Sequence, residues 1–157
     1  MPSTPAVLAL RAAGAAFTPY FYAYEERGGT AVSARELGVD EHAVIKTLVM
    51  RDETAKPLIV LMHGDREVST KALARELGVK RVEPCQPAVA ERHTGYRVGG
   101  TSPFGTRRRM PVCMEATITD LPHILINGGS RGFLVGITPQ VLLDLLQPRA
   151  ISVAIAG

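Results

Sequence analysis

Val44-Ile45-Lys46-Thr47-Leu48-Val49-Met50-Arg51, then Asp52 to Lys56, then Pro57-Leu58-Ile59-Val60-Leu61-Met62-His63 is the stretch that decides the fold. Two apolar, β-branched runs joined by a short polar connection predict an antiparallel hairpin. The first run is apolar on both faces apart from Lys46, so its strand is expected to lie near the middle of a sheet.

Lys46 interrupts the first run. Side chains of an extended strand alternate, so Val44, Lys46, Leu48 and Met50 share one face and Ile45, Thr47 and Val49 the other. An unpaired ammonium on a partly buried face costs several kcal/mol or sheds its proton. Two readings stand on the pattern alone. The side chain snorkels to the sheet edge or pairs with a carboxylate, or it is a cation lining a pocket.

Outward from the hairpin, Ala34-Arg35-Glu36-Leu37-Gly38-Val39 recurs as Ala74-Arg75-Glu76-Leu77-Gly78-Val79. Each copy predicts a helix that stops where glycine takes the left-handed conformation, the second of them capped by Ser69 or Thr70. Two copies with dissimilar flanks do not make a solenoid. Thr4-Pro5 and Thr138-Pro139 are cap-and-proline starts for helices reaching about Ala13 and Gln147, and Pro87 begins a short one to about His93. Strands are expected over Phe17 to Glu25, Val112 to Ile118, Ile124 to Ile126, Phe133 to Ile137 and Ile151 to Ile155, with Asn127-Gly128 as a tight turn. Strands and helices mix without strict βαβ order. The expected fold is an α/β domain of the α+β type, a mixed, largely antiparallel sheet with helices packed outside it. No linker divides the chain, and residues 1–157 are expected to form one domain.

Two glycine-rich segments stand out. Thr94-Gly95-Tyr96-Arg97-Val98-Gly99-Gly100-Thr101-Ser102-Pro103-Phe104-Gly105 is barred from regular structure over most of its length, and glycines let backbone amides approach a ligand. It matches neither a phosphate loop nor a dinucleotide fingerprint. Asn127-Gly128-Gly129-Ser130-Arg131-Gly132 reads most simply as a hairpin turn, and it is also a potential row of backbone donors beside Arg131, of the kind that stabilises a developing oxyanion.

The chain carries 18 basic and 15 acidic residues, a net charge of +3, yet Lys80 to Cys113 holds seven basic residues against Glu83 and Glu91. This local surplus of five, with Arg107-Arg108-Arg109 at its end, suits a polyanionic partner or a solvated loop. At 46% hydrophobic and 157 residues the chain can bury a core without staples. No apolar run approaches the roughly 18 residues of a membrane span, and no secretory leader is legible, so a cytoplasmic protein is expected. Cys85 and Cys113 lack Cys-x-x-Cys partners and are expected to be free, buried thiols. His42, His63, His93 and His123 lack ligand spacing, so neither a metal nor another cofactor is expected. There is no Gly-x-Ser-x-Gly elbow, no Cys/His nucleophile signature and no dense carboxylate set. If this is an enzyme, its chemistry rests on positioning, electrostatics or a group that the substrate brings.

Val44-Ile45-Lys46-Thr47-Leu48, Thr94-Gly95-Tyr96 running into Gly99-Gly100-Thr101-Ser102-Pro103-Phe104-Gly105, and Gly128-Gly129-Ser130-Arg131-Gly132 resemble, in order and at similar spacing, the YbaK/EbsC family of aminoacyl-tRNA editing domains. The resemblance covers nearly the whole chain. It implies a strongly curved, largely antiparallel sheet and a free-standing deacylase that removes a wrong amino acid from tRNA, with cysteinyl-tRNA(Pro) the best known substrate. Relatives include the editing domain inserted in bacterial prolyl-tRNA synthetases. By the same resemblance Lys46 is the essential lysine, Gly100, Thr101, Ser102 and Pro103 the substrate-binding loop, and Gly128 to Gly132 the second pocket wall. A pocket tyrosine falls among Tyr20, Tyr22 and Tyr24. Where typical cysteinyl-tRNA deacylases carry a further basic residue and acidic or polar residues, this chain has Ser130, Leu134 and Gly136.

The expected partner is the acceptor end of a mischarged tRNA, with Arg107, Arg108 and Arg109 on its phosphates and no membrane involved. A patch of this charge gives affinity without sequence preference, so a synthetase or other tRNA-binding partner is expected to supply the rest. Two alternatives use the same residues: a module that binds tRNA ends or small ligands without turnover, and a synthetase-associated adaptor docking through the apolar helix Val141 to Leu146.

Overall fold

A computed structural model describes all 157 residues. The deciding hairpin is present as β2 (Val44–Asp52) and β3 (Pro57–His63), antiparallel from Ile45↔His63 to Arg51↔Pro57. Asp52 shapes its turn, its carboxylate accepting from the amides of Thr54 and Lys56 and from the Thr54 hydroxyl. Every residue of β3 is buried. Its alternating side chains enter two cores. Ile59 and Leu61 join the largest cluster, under α1 (Pro5–Ala12) and α5 (Pro139–Leu146), while Leu58, Val60 and Met62 pack with α3 (Thr70–Leu77). A third, smaller cluster puts α2 (Gly29–Leu37) over Val44, on the face opposite the α1 and α5 core. The sheet is thus covered on both sides, as two apolar faces require.

The remaining strands are β1 (Thr18–Phe21), β4 (Arg66–Val68), β5 (Val82–Pro84), β6 (Val112–Glu115), β7 (Ile124–Ser130), β8 (Phe133–Ile137), β9 (Arg149–Ile151) and β10 (Ala154–Ala156); α4 spans Pro87–Thr94. The main sheet runs β1-β8-β7-β2-β3-β6-β9 with β5 also on β2, and β10 pairs with β4 separately. Five of the eight pairings are antiparallel, so the mixed, mainly antiparallel α/β reading holds. Both repeated helix endings occur, with Gly38 and Gly78 left-handed, and Ser69 caps α3 by accepting from the Ala72 amide. No helix is long and apolar enough to cross a membrane.

Four expectations need correction. The strand expected over Phe17 to Glu25 is only Thr18–Phe21, because beyond it the chain leaves the ladder to form a turn before α2. The strand from Val112 ends at Glu115 and becomes a 3₁₀ turn over Ala116–Asp120. The last strand is two, β9 and β10, in different sheets. Asn127-Gly128 is not the hairpin turn. β7 continues through a bulge at Gly128 and Gly129, and Arg131-Gly132 makes the turn, with Gly132 at φ +77°. The Asn127 side chain occupies the bulge, its Oδ1 accepting from the Gly129 amide at 2.7 Å.

The edges of β2 matter most. One pairs continuously with β3. The other pairs with β7 in parallel at Val44 and Ile45 and with β5 antiparallel from Met50 to Asp52, with Val49 O accepting from Cys85 N just before. Between those contacts, Lys46 to Leu48 have no strand beside them. The sheet splits there, with bulged β7 leading away on one side and β5 on the other.

Candidate active site

The split opens into a cavity of about 660 Å³. Its floor is β2 from Val44 to Val49; Cys85, Pro87 and Ala90 form one side, and Tyr22, Tyr24 and the start of α2 the other. Val98, Gly99 and Thr101 close it above with Asn127 and Arg131.

Lys46 lies on this floor with 18% of its side chain exposed. Its ammonium donates to the Arg66 carbonyl at 2.5 Å and stands 3.4 Å from Glu67 Oε1. Both sequence readings of Lys46 therefore hold together, since it pairs with a carboxylate and lines a cavity. The β4 segment that supplies these partners is held at its own start. Asp65 accepts from His42 Nδ1 at 2.8 Å, and the Thr30 hydroxyl, which donates to Glu41 Oε2 at 2.7 Å, lies 3.1 Å from the Gly64 carbonyl. Burial raises the Asp65 carboxyl, but the His42 hydrogen bond and charge prevail and hold it below its ordinary value. His42 stacks on buried His63 at 3.7 Å between ring centres, and His63 Nδ1 donates to the His42 carbonyl. Gly64 has no room for a side chain: a Cβ would stand 2.6 Å from the Val44 carbonyl oxygen.

Thr47, next along the floor, carries the one buried side-chain polar atom without a hydrogen-bond partner, its hydroxyl. Such a group costs about 1–3 kcal/mol unless something pairs with it, and here it borders a cavity able to admit a polar ligand.

The roof depends on glycine. Gly99 has φ +88°, and a Cβ there would fall 2.3 Å from the Tyr24 hydroxyl; one on Gly100 would be 2.9 Å from the Arg131 amide. These positions let the 98–101 loop lie directly on the tyrosine and the β7–β8 turn. Arg131 Nε donates to Val98 O at 2.9 Å, its guanidinium sits 5.0 Å from the Tyr24 ring centre, and Asn127 Nδ2 donates to Gly99 O at 3.2 Å. The two glycine-rich segments of the sequence are thus tied into one roof.

The structure distributes the expected site residues unevenly. Lys46, Tyr24, Thr101 and Arg131 line the cavity, whereas Gly100, Ser102, Pro103, Gly128, Gly129, Ser130 and Gly132 stand behind it. Ser102 is fully buried and its Oγ accepts from the Phe104 amide. Nearby Tyr96 donates to the Phe104 carbonyl, and burial pushes its phenol up to about 12. Two expected oxyanion donors are already engaged, Gly100 N with Arg97 O and Gly129 N with Asn127 Oδ1. The amides of Thr101 and Ser102 have no acceptor within the chain. Of the three tyrosines, Tyr22 and Tyr24 line the cavity; Tyr20 does not, packing instead toward Leu134 and Gly136.

Arg107, Arg108 and Arg109 are exposed and lie off the cavity. They run past the end of α4, where Arg107 N and Arg108 N donate to the Thr94 and His93 carbonyls. None pairs with a carboxylate. The helix offered as an adaptor surface, α5, instead faces the core: Leu142 is fully buried, and Val141, Leu143, Leu145 and Leu146 pack against the main cluster. Cys113 is buried and Cys85 half-buried in the cavity wall, both as free thiols.

Sequence reasoning overlooked Thr47, Asn127, Glu26 and Cys85 as lining residues. The signal for Thr47 lay beside Lys46, but strand alternation assigned it to the opposite face; at an unpaired edge both faces meet the same void.

A family model described as the aminoacyl-tRNA editing domain matches residues 25–145. The chain is 30% identical over 130 residues to a protein of Enterococcus faecalis provisionally named Cys-tRNA(Pro)/Cys-tRNA(Cys) deacylase EbsC, covering 82% of this chain and 79% of that one. It is 25% identical over 84 residues to a proline--tRNA ligase of Brachyspira hyodysenteriae, covering 54% of this chain and 14% of the ligase. The fold matches a crystal structure provisionally described as a trans-editing enzyme for prolyl tRNA synthetase, with a TM-score of 0.85 over 99% of this chain and 100% of that one, at 20% identity.

Proposed function

The chain belongs to the aminoacyl-tRNA editing domain family, and from that membership we propose that residues 1–157 act as one trans-editing deacylase that removes cysteine from mischarged tRNA(Pro). The observation that carries the reading is Lys46, a tethered ammonium on a largely buried side chain, on the floor of a cavity roofed by the two glycine-rich segments.

The terminal adenosine and its aminoacyl ester enter the split of the sheet. Lys46 supplies positive charge to the ester or to the nucleotide that bears it. The unpaired Thr47 hydroxyl and the free Thr101 amide donate to oxygens of the substrate as charge develops on the carbonyl. Tyr22, Tyr24 and Arg131 flank the entering nucleotide. No side-chain nucleophile is required. Cys85 is the only thiol in the cavity, and burial raises its pKa, so at neutral pH it stays protonated.

The attacking group is water, a ribose hydroxyl or the substrate's own thiol. In the thiol route a carbon–sulfur bond forms as the ester carbon–oxygen bond breaks, the thiol proton passes to the departing ribose oxygen, and a cyclic thioester leaves. Trapping that product or free cysteine distinguishes a lyase step from hydrolysis. Arg107, Arg108 and Arg109 contact the tRNA backbone outside the cavity, and a synthetase or similar partner supplies tRNA selectivity. A tRNA substrate places the reaction in the cytoplasm.

Deacylation of cysteinyl-tRNA(Pro) by the Lys46→Ala variant tests the reading. Loss of about a hundredfold or more in kcat is expected, the scale of removing one preorganised electrostatic contact. Activity within about twofold of the parent would sink it, since a contact of that class cannot be removed so cheaply. Turnover under excess substrate separates catalysis from mere retention of a tRNA end.

A further inference from the structure

The cavity lining is unbalanced in charge. Lys46, Arg27 and Arg131 are cations, and Glu26 is the one carboxylate among the lining residues. Glu26 makes no ion pair and no hydrogen bond within the chain, unlike Glu25 beside it, which binds Arg35 at 3.2 Å.

The turn that presents it is not a relaxed one. Arg27 holds φ +59° and Gly29 φ +57°, while Gly28 N donates to Glu25 O at 3.0 Å. A left-handed arginine persists only where its surroundings over-determine it, and such outliers cluster at ligand clamps. Gly28 is boxed in as well, since a Cβ on it would stand 2.4 Å from the Val32 side chain. The turn is therefore fixed from below by α2, with Glu26 left at the cavity.

We infer that Glu26 is the receptor for the substrate's α-amino group and makes the site selective for aminoacyl esters whose amine is free. This rests on the editing reading and deepens it. An aminoacyl ester has an anionic end at its nucleotide phosphate and a cationic or strongly donating end at its amine. The three cations suit the first end, and only Glu26 suits the second. An N-blocked ester, such as an N-acylated or peptidyl one, has lost both the charge and the donors that a carboxylate recognises.

The test is binding of a non-hydrolysable mimic, cysteine joined by an amide to the 3′-amino group of 3′-amino-3′-deoxyadenosine 5′-monophosphate, with its α-amine free or N-acetylated, measured by calorimetry. The parent protein should prefer the free amine by about twofold to fivefold, the order expected for an exposed charge contact. Glu26→Gln should bring the two dissociation constants together by weakening only the free-amine form, and Glu26→Asp should restore part of the preference. Equal affinity of the parent for both forms, equal weakening of both by Glu26→Gln, or no binding of either would overturn the assignment. Deacylation of cysteinyl-tRNA(Pro), followed in parallel, reports separately on the editing reading. A parent protein that turns over substrate but shows no amine preference would refute the role of Glu26 alone.

Discussion

The two edges of β2 are built from the same nine residues and have opposite fates. Toward β3 every position from Ile45 to Arg51 has a ladder partner, and the strand beyond is buried throughout. Toward β7 and β5 the ladder is broken, and what remains between is a cavity floored by Lys46 and Thr47. The closed edge is buried in the core, and the open edge borders the cavity proposed to take the substrate. A sheet that must hold both a core and a site can separate them across a single strand, because side-chain faces and backbone edges are independent of one another.

That separation can be broken from either side. The largest effect is expected on the closed edge. Leu61→Ala removes a fully buried side chain from the main cluster and should cost about 2–5 kcal/mol in chemical denaturation, while deacylation per folded molecule stays near the parent's. A specific activity that falls in step with stability would mean the two edges are not independent.

Gly99→Ala acts on the open edge instead. The new methyl group meets the Tyr24 ring at a backbone conformation that alanine resists at a cost of about 1–2 kcal/mol. About tenfold is expected to be lost from kcat/KM as the roof shifts, with stability in chemical denaturation falling by about the same 1–2 kcal/mol, less than for Leu61→Ala. An unchanged kcat/KM would show that the Tyr24 and Gly99 contact does not shape the cavity.

Changing Arg107, Arg108 and Arg109 together to Gln leaves both edges intact. Since none of the three lines the cavity, turnover of a short aminoacyl mimic should be unaltered, while the salt dependence of whole-tRNA binding should flatten by up to about three in its log–log slope. A slope unchanged by the triple substitution would remove these residues from the tRNA path.

The smallest effect concerns pH. Asp65 steadies the start of β4; burial pushes its carboxyl up, and His42 outweighs that push and holds it below the ordinary value of 3.8. A carboxyl with a depressed folded pKa contributes stability above its unfolded pKa and loses it as pH falls through the folded one. Stability attributable to Asp65 should therefore decline below about pH 4, and Asp65→Asn should abolish that part of the decline. An identical acid limb in the variant would refute the contribution.

The fold was legible because it rests on patterns of side chains. The hairpin, the helix endings at Gly38 and Gly78 and the proline-started helices all follow from local periodicity and capping. Asn127-Gly128 misled because its tight-turn chemistry also suits a bulge, and only the partner strand decides which occurs. The site was half legible. Lys46 was exposed by its cost in an apolar run, and Arg131 by the motif around it. Thr47, Asn127 and Glu26 were not, because they reach the cavity through a gap in pairing that no single segment encodes. The glycines were visible, but the bonds their amides make within the chain were not. Gly100 and Gly129 allow close approach between loops, and their amides, already engaged, are not free to hold an oxyanion.

The bulge in β7 sets how far that strand leans from β2, and the parallel contact at Val44 and Ile45 and the antiparallel one at Met50 to Asp52 pin both ends of the opening. A recess framed by two hydrogen-bonded ladders keeps its width before anything enters, so a guest spends little of its affinity on ordering its host.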